Sequence, residues 1–254
     1  NCLGRFGYGQ HTFNITNWYP IACIYDHTGW NNDPYYPVGD PFYSDVANYQ
    51  VKVKAPSDYT IAATGEAIKV KAEGNYKVWE FKAQAVRDFA WIASRDFEVA
   101  SRSVDGITVY SYFLPDSRDG GEKALDCAAT AIEIFNRCFG RYPYGHLAVV
   151  QSDFFVGGME YPCLVMIDKS LYGKDQQWLE YVTVHETAHQ WWYGVVGNDQ
   201  IDEAWLDEAL TEYSTILYYE NRYGRDAAKQ VYDSVIVDGK CSYLQGYRVQ
   251  GLNH

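Results

Sequence analysis

Two short segments restrict what this chain can fold into more than any others: Thr183-Val184-His185-Glu186-Thr187-Ala188-His189-Gln190-Trp191-Trp192 and, shortly after, Trp205-Leu206-Asp207-Glu208-Ala209-Leu210-Thr211-Glu212-Tyr213. Residues four apart on a helix lie one above the other, so His185 and His189 present two imidazoles from one face to a single point. Two ligands are not enough for a metal. A structural zinc usually takes four protein ligands, whereas a catalytic zinc takes three and keeps a position open. Glu208 is the candidate third ligand. Eighteen residues separate it from His189, with Gly194 and Gly197 between, so one helix can stop and another begin with their ligands converging. Glu186 shares the turn with the histidines, beside the ion without binding it, where it can take a proton as a general base. The plain reading of the same residues is a pair of packed core histidines and a solvated helical glutamate.

The chain is long enough to build such a site. With 254 residues, 47% of them hydrophobic, it can bury a sizeable core and has room for one large or two ordinary domains. A formal net charge of −12 and a pI near 4.9 argue against nucleic acid or an anionic membrane as the main partner, since both need a positive face. No run of about eighteen apolar residues occurs, so no membrane span is expected within the chain. The opening Asn1-Cys2-Leu3-Gly4 is not a signal peptide, and the native N-terminus is expected upstream. Cys2, Cys23, Cys127, Cys138, Cys163 and Cys241 contain no C-x-x-C pair. Cys127 and Cys138 fall in one predicted helix about 16 Å apart, too far to bridge. All six are expected to be small buried hydrophobes. Asn14-Ile15-Thr16 fits a glycosylation pattern, but a three-residue match carries almost no weight.

In chain order, residues 1 to 43 are rich in Gly, Pro, Asn, Asp and aromatics, an ordered and loop-rich part of a β domain. Tyr49, Val51 and Val53 alternate with Gln50, Lys52 and Lys54, and Trp79, Phe81 and Ala83 with Glu80 and Lys82, which predicts strands with polar residues outward. Residues 59–61 and 68–70 read as further strands. After Val104-Asp105-Gly106 the pattern changes: Ile107, Val109 and Phe113 predict one more strand, and Leu125, Ala128, Ile132, Phe135 and Phe139 recur at helical spacing up to Gly140. Residues 147–150 and 163–167 read as short buried strands, and 226–237 as a last helix. The fold class expected is α+β: an antiparallel β domain over residues 1–103, then an α/β domain over 104–254.

The two metal-ligand segments, together with Gly157-Gly158-Met159-Glu160-Tyr161 upstream, resemble the aminopeptidase N-type zinc metallopeptidases, the gluzincin family that also includes leukotriene hydrolase. The resemblance implies that residues 1–103 are the later part of a saddle-shaped N-terminal β domain, and 104–254 a thermolysin-like catalytic domain. It implies one zinc ion per chain on His185, His189 and Glu208, with Glu186 as the base, and a peptide with a free N-terminus as substrate. Gly157, Gly158, Met159 and Glu160 match the family's G-x-M-E-N motif, whose strand pairs with the substrate backbone while the glutamate binds the α-amine. A carboxylate in a partly dry cleft suits that cation, and adjacent glycines permit close approach. Tyr161 stands where the motif has asparagine. Glu212, one turn after Glu208, either holds a ligand imidazole by its second nitrogen or is solvated. The family's N-terminal domain contributes a glutamine to the amine site; Gln10 lies at a plausible place, although a lone glutamine is more often an exposed polar residue. Trp191, Trp192 and Trp205 read as core packing, and Asp199, Asp202, Glu203 and Asp207 mostly as a solvated face. His11, His27, His146 and His254 lack partner spacing and receive no role.

Only 46 residues follow Glu208, whereas the family's oxyanion-stabilising tyrosine lies several dozen residues past the third ligand. Tyr243 and Tyr247 come too early, so the chain is expected to be a fragment of a longer enzyme and to turn over poorly alone. The leading expectation is a zinc aminopeptidase. A thermolysin-like endopeptidase shares the zinc motif, and a non-catalytic interaction scaffold could keep the fold, although such relatives tend to lose Glu186 or a ligand.

Overall fold

Short alternating stretches build the first part of the chain. The computed structural model describes residues 5–34, 39–40, 43–173 and 176–238, so Cys2, Cys241, Tyr243, Tyr247 and His254 lie outside the described residues. It opens with β1 (Gly7–Tyr8), β2 (Phe13–Ile15), β3 (Tyr25–Asp26) and β4 (Gly29–Trp30). Longer strands follow, β5 (Ala47–Pro56), β6 (Thr60–Ala63), β7 (Glu66–Glu73), β8 (Tyr76–Val86) and β9 (Trp91–Ser94). Antiparallel pairing gives three sheets, in the orders β1-β2-β9-β6, β3-β4 and β5-β8-β7. In β8 the alternation read from the sequence directs Trp79, Phe81 and Ala83 into the core and leaves Lys82 exposed. Strand β7 departs from that pattern. All of its residues are exposed, Ile68 and Val70 included, because it is the outer strand of its sheet and packs neither face among the described residues.

The next sheet is mixed. Its strands are β10 (Glu98–Val104), β11 (Ile107–Phe113), β12 (His146–Ser152), β13 (Gly158–Met159) and β14 (Leu164–Asp168), in the order β10-β11-β12-β14-β13. The inner pairs are parallel and the outer pairs antiparallel. β10 and β11 form one hairpin around Asp105-Gly106, so the sheet starts at Glu98 and continues across residues 103 and 104. Parallel β11 and β12 need a long crossover, and α1 (Arg118–Phe139) supplies it. Leu125, Ala128, Ile132 and Phe135 are its buried stripe, Phe139 packs at the edge, and Gly140 ends the helix at φ 99°. Each large side chain buried this way contributes about 1.5–3 kcal/mol.

Three helices complete the fold: α2 (Gln177–Ala188), α3 (Ala204–Tyr223) and α4 (Arg225–Tyr232), the last continuing into a π-helical turn, Asp233–Val237. A continuous core joins Trp79 and Phe81 of the β part to Phe135, Leu147, Val184 and Tyr218. Buried polar groups fix the helices: Glu180 Oε1 accepts from the Tyr218 hydroxyl at 3.0 Å and the Tyr223 hydroxyl at 2.8 Å, and Arg222 pairs with Asp126 of α1 at 2.6 Å. The fold is α+β.

Two expectations need correction. Cys127 and Cys163 are buried, but Cys23 and Cys138 are exposed, and all four are free thiols; a cysteine on the outer side of a helix end or in a loop has nothing to pack against. Trp191 is in the core, whereas Trp205 is 65% exposed, because α3 turns that face of its first turn to solvent.

Candidate active site

Helix α2 is buried along Thr183, Val184, Thr187 and Ala188, which orients its remaining face. His185 lies on the last turn and His189 caps the helix, its N–H still donating to the His185 carbonyl at 3.2 Å. The negative end of the helix dipole therefore lies beside both rings, favourable for a cation. His189 Nδ1 sits 3.0 Å from the Trp192 carbonyl oxygen, which can only accept, so the network assigns the proton to Nδ1 and leaves Nε2 with a lone pair. His185 Nδ1 faces Glu212 Oε1 at 3.6 Å, too long for a hydrogen bond, and has no hydrogen-bond partner among the described residues. Glu212 also accepts a hydrogen bond from the Tyr181 hydroxyl.

The Nε2 atoms of the two rings point at one place. His185 Nε2 and His189 Nε2 are 3.2 Å apart, and Glu208 Oε2 of α3 is 3.2 Å from the first and 3.7 Å from the second. Three donor atoms bound tetrahedrally at about 2.0–2.2 Å would be separated by about 3.3–3.6 Å. The observed spacings fit a divalent cation of that size. Burial opposes charge on Glu208, yet the neighbouring His185 and His189 rings hold its pKa well below the usual carboxylate range. Burial likewise opposes a proton on His189, and Glu160, Glu208 and Glu186 outweigh it, raising its pKa. The cluster thus gathers carboxylates at a point where the chain places two imidazole nitrogens.

Glu186 is buried on the same helix, and its Oε2 has no hydrogen-bond partner among the described residues. Burial first, then the carboxylate of Glu160, push its pKa well above the ordinary value. Its carboxyl group lies against Gly158, where a Cβ would overlap Glu186 Oε1, Cδ and Cγ. Gly157 has φ +83°, a conformation that favours glycine. Gly158 and the buried Met159 form β13, the last strand of its sheet, so one edge of its backbone is unpaired within that sheet.

Glu160 follows, 4% exposed, with burial raising its pKa and His189 opposing the rise. A carboxylate oxygen of Glu160, a ring nitrogen of His189 and an oxygen of Asp207 lie within 4.8 Å of one another. Asp207 was expected on a solvated face, and the structure corrects that: it is 2% exposed and accepts from Asn198 Nδ2 at 3.1 Å and Gln200 Nε2 at 2.7 Å. Tyr161 is fully buried, and its hydroxyl donates to Asn17 Oδ1 at 2.8 Å, tying the motif to the β part. Gln10 is exposed in the turn between β1 and β2, and no hydrogen bond or ion pair among the described residues joins it to Glu160 or the histidines. The charged group that the β part does bring near is Asp40, paired with Arg5; burial first, then Glu160, raise its pKa to about 7. Neither Asp40 nor Gln200 carried a sequence signal, since each reads as one more polar residue in a polar loop. His146 bonds the Ala63 carbonyl at 3.3 Å and His11 pairs with Asp96 at 3.0 Å, both away from this cluster.

Residues 123–245 match the peptidase family M1 domain. The chain is 23% identical over 191 residues to endoplasmic reticulum aminopeptidase 2 of Homo sapiens, covering 70% of this chain and 20% of that protein. Aminopeptidase M1 of Arabidopsis thaliana is 24% identical over 184 residues, 67% of this chain and 21% of that protein. A shorter stretch of 89 residues, 32% of this chain and 14% of the relative, is 37% identical to aminopeptidase B of Rattus norvegicus. His185, Glu186, His189 and Glu208 all lie inside the family-matched segment, and through it the chain carries a domain of peptidase family M1, of the aminopeptidase N type.

Proposed function

We propose that this domain belongs to a zinc-dependent aminopeptidase that hydrolyses the N-terminal peptide bond of peptides. The observation that carries the reading is the convergence of His185 Nε2, His189 Nε2 and Glu208 Oε2 at spacings of 3.2–3.7 Å. Two imidazoles and one carboxylate are a zinc donor set with a position to spare. Bound zinc supplies Lewis-acid activation of water and polarisation of the scissile carbonyl. Glu186 accepts the proton released from water and passes it to the leaving amine. Glu160 receives the substrate's α-ammonium, and the open edge of β13 pairs with the substrate backbone, which together fix the N-terminal peptide bond over the reacting centre. Glu212 holds the His185 ring from behind. In this reading the β part is a portion of a saddle-shaped domain and the helical part a thermolysin-like catalytic domain.

The test is chelator-sensitive release of the N-terminal residue from aminoacyl anilides, run beside the N-acetylated substrates. Free-amine substrates should be cleaved and acetylated ones spared. Absence of chelator-sensitive release overturns the proposal, and equal cleavage of acetylated peptides points to an endopeptidase instead.

A further inference from the structure

Gln200 is 4% exposed and sits in the polar loop ahead of α3, yet its side chain does not serve that loop. Its Nε2 donates to Glu160 Oε1 at 3.2 Å and to Asp207 Oδ2 at 2.7 Å. One amide nitrogen has two hydrogens, and both are used on carboxylates. Asp207 is in turn held by Asn198 Nδ2 at 3.1 Å and lies 3.9 Å from His189 Nδ1. The amide cannot be turned over, because its oxygen would then face two carboxylates. Gln200 Oε1 is nevertheless buried with no hydrogen-bond partner. Leaving a buried acceptor unsatisfied is unfavourable, and a side chain kept only for packing would be replaced by an apolar residue of the same shape.

The loop itself is fixed by other groups. Asp199 Oδ1 accepts from the backbone N–H of Ile201 at 2.9 Å and of Asp202 at 3.2 Å, and Asn198 Nδ2 donates to the Glu203 carbonyl at 3.0 Å. Gln200 is free of that duty, so its two donors act on Glu160 and Asp207 alone.

We propose that Gln200 is a positioning residue that orients the Glu160 carboxylate toward the substrate's ammonium and ties this amine anchor to the start of the helix carrying Glu208. The role rests on the aminopeptidase reading of Glu160. Gln200 supplies one hydrogen bond to one Glu160 oxygen and leaves the other free to accept from the ammonium. Without it, two buried carboxylates, Glu160 and Asp207, are left facing each other with no donor between them, and Glu160 turns away or takes up a proton. Either outcome removes the anchor without touching the metal ligands.

The test is binding of leucinamide and of N-acetyl-leucinamide to the full, metal-loaded protein by calorimetry, on the Glu186→Gln background so that nothing is hydrolysed. The parent should favour the free amine. Gln200→Leu should lose roughly 10- to 100-fold of that preference, as expected for one hydrogen bond to a charged group, with metal content unchanged. In a Glu160→Gln background, Gln200→Leu should have no further effect, which a merely structural role would not produce. Gln200→Met, of similar length and without a donor, should behave like Gln200→Leu and covers the case in which leucine prevents folding. Equal amine preference in the parent and the Gln200 variants, or additive losses with Glu160→Gln, overturns the role of Gln200. A parent blind to acetylation instead refutes the amine anchor, and the role of Gln200 falls with it.

Discussion

Gly158→Ala tests the proposed chemistry with a single methyl group. The Gly158 backbone does not occupy the left-handed region, so alanine is conformationally allowed there. The new Cβ would meet Glu186, with Cγ at 2.5 Å and Cδ and Oε1 nearer still, whereas ordinary contact begins at 3.4 Å. The Glu186 side chain therefore has to retreat by at least about 0.9 Å. Misplacing a reacting group by about 1 Å costs on the order of 100-fold in rate, within the 10²–10⁴ that a general base contributes. We expect kcat on a free-amine anilide to fall about 100-fold. Metal content should not change, since the ligands are not touched. Overpacking should destabilise by about 1–3 kcal/mol, readable as a lowered Tm. Gly157→Ala is the opposite control. A Cβ there meets nothing within 4 Å, but φ +83° makes alanine strained, so about 1–2 kcal/mol of stability should go with far less of the rate. If Gly158→Ala lowers Tm while kcat stays within about threefold, Glu186 is not the group whose placement limits the reaction.

Three further substitutions probe separate parts of the same region. Glu186→Gln should bind one zinc per chain and lose at least about 100-fold in kcat; loss of metal, measured by atomic absorption, would mean that Glu186 is a ligand. Gln190→Leu should destabilise by about 1–3 kcal/mol in thermal melts, because the Cys163 N–H, which donates to Gln190 Oε1 at 2.8 Å, is left buried without that partner; an unchanged Tm would contradict the network. Asp40, with its folded pKa raised to about 7 by burial and then Glu160, keeps a proton that the unfolded chain has released from about pH 4 upward, so its contribution makes the metal-free protein lose stability as pH rises from about 4 to about 7. Asp40→Asn should flatten that slope in denaturant titrations, and an identical slope would show that Asp40 does not titrate there.

What was legible in the sequence follows from periodicity and spacing. The apolar stripe of α1 and the alternation of β8 read correctly because each side chain's burial depends on its own position in a regular element. The meeting of His185 and His189 was legible for the same reason, since they share a helical face, and only the approach of Glu208 required tertiary packing. Gln200, Asp207 and Asp40 were not legible. Their environments are set by which loops fold over the cleft, and in sequence Asn198-Asp199-Gln200-Ile201-Asp202-Glu203 is indistinguishable from a solvated turn. β7 misled in the other direction, since Ile68 and Val70 alternate like a packed strand but lie on an outer strand with nothing against them. Periodicity reports local geometry, and it is silent on what covers a face.

The packing also explains how two separate helices can hold a site to within fractions of an ångström. Glu180 near the start of α2 grips Tyr218 and Tyr223 near the end of α3, whereas His185 and His189 at the end of α2 meet Glu208 near the start of α3. Ten residues of α3 separate Glu208 from Tyr218, a span of about 15 Å. The helices are thus clamped at two distant points, one a buried polar network made entirely by the chain and the other the metal cluster. The first clamp is satisfied by tyrosine hydroxyls and Arg222 and sets the angle between the helices. The second concentrates Glu160, Glu186, Asp207 and Glu208 around two imidazoles, with burial raising the pKa of Glu160 and Glu186. Such a concentration of buried carboxylates is unfavourable for folding and is tolerated where a cation is to be bound. The polar clamp sets the geometry in advance, so under the proposed function a metal ion and a substrate ammonium would meet ligands that are already oriented.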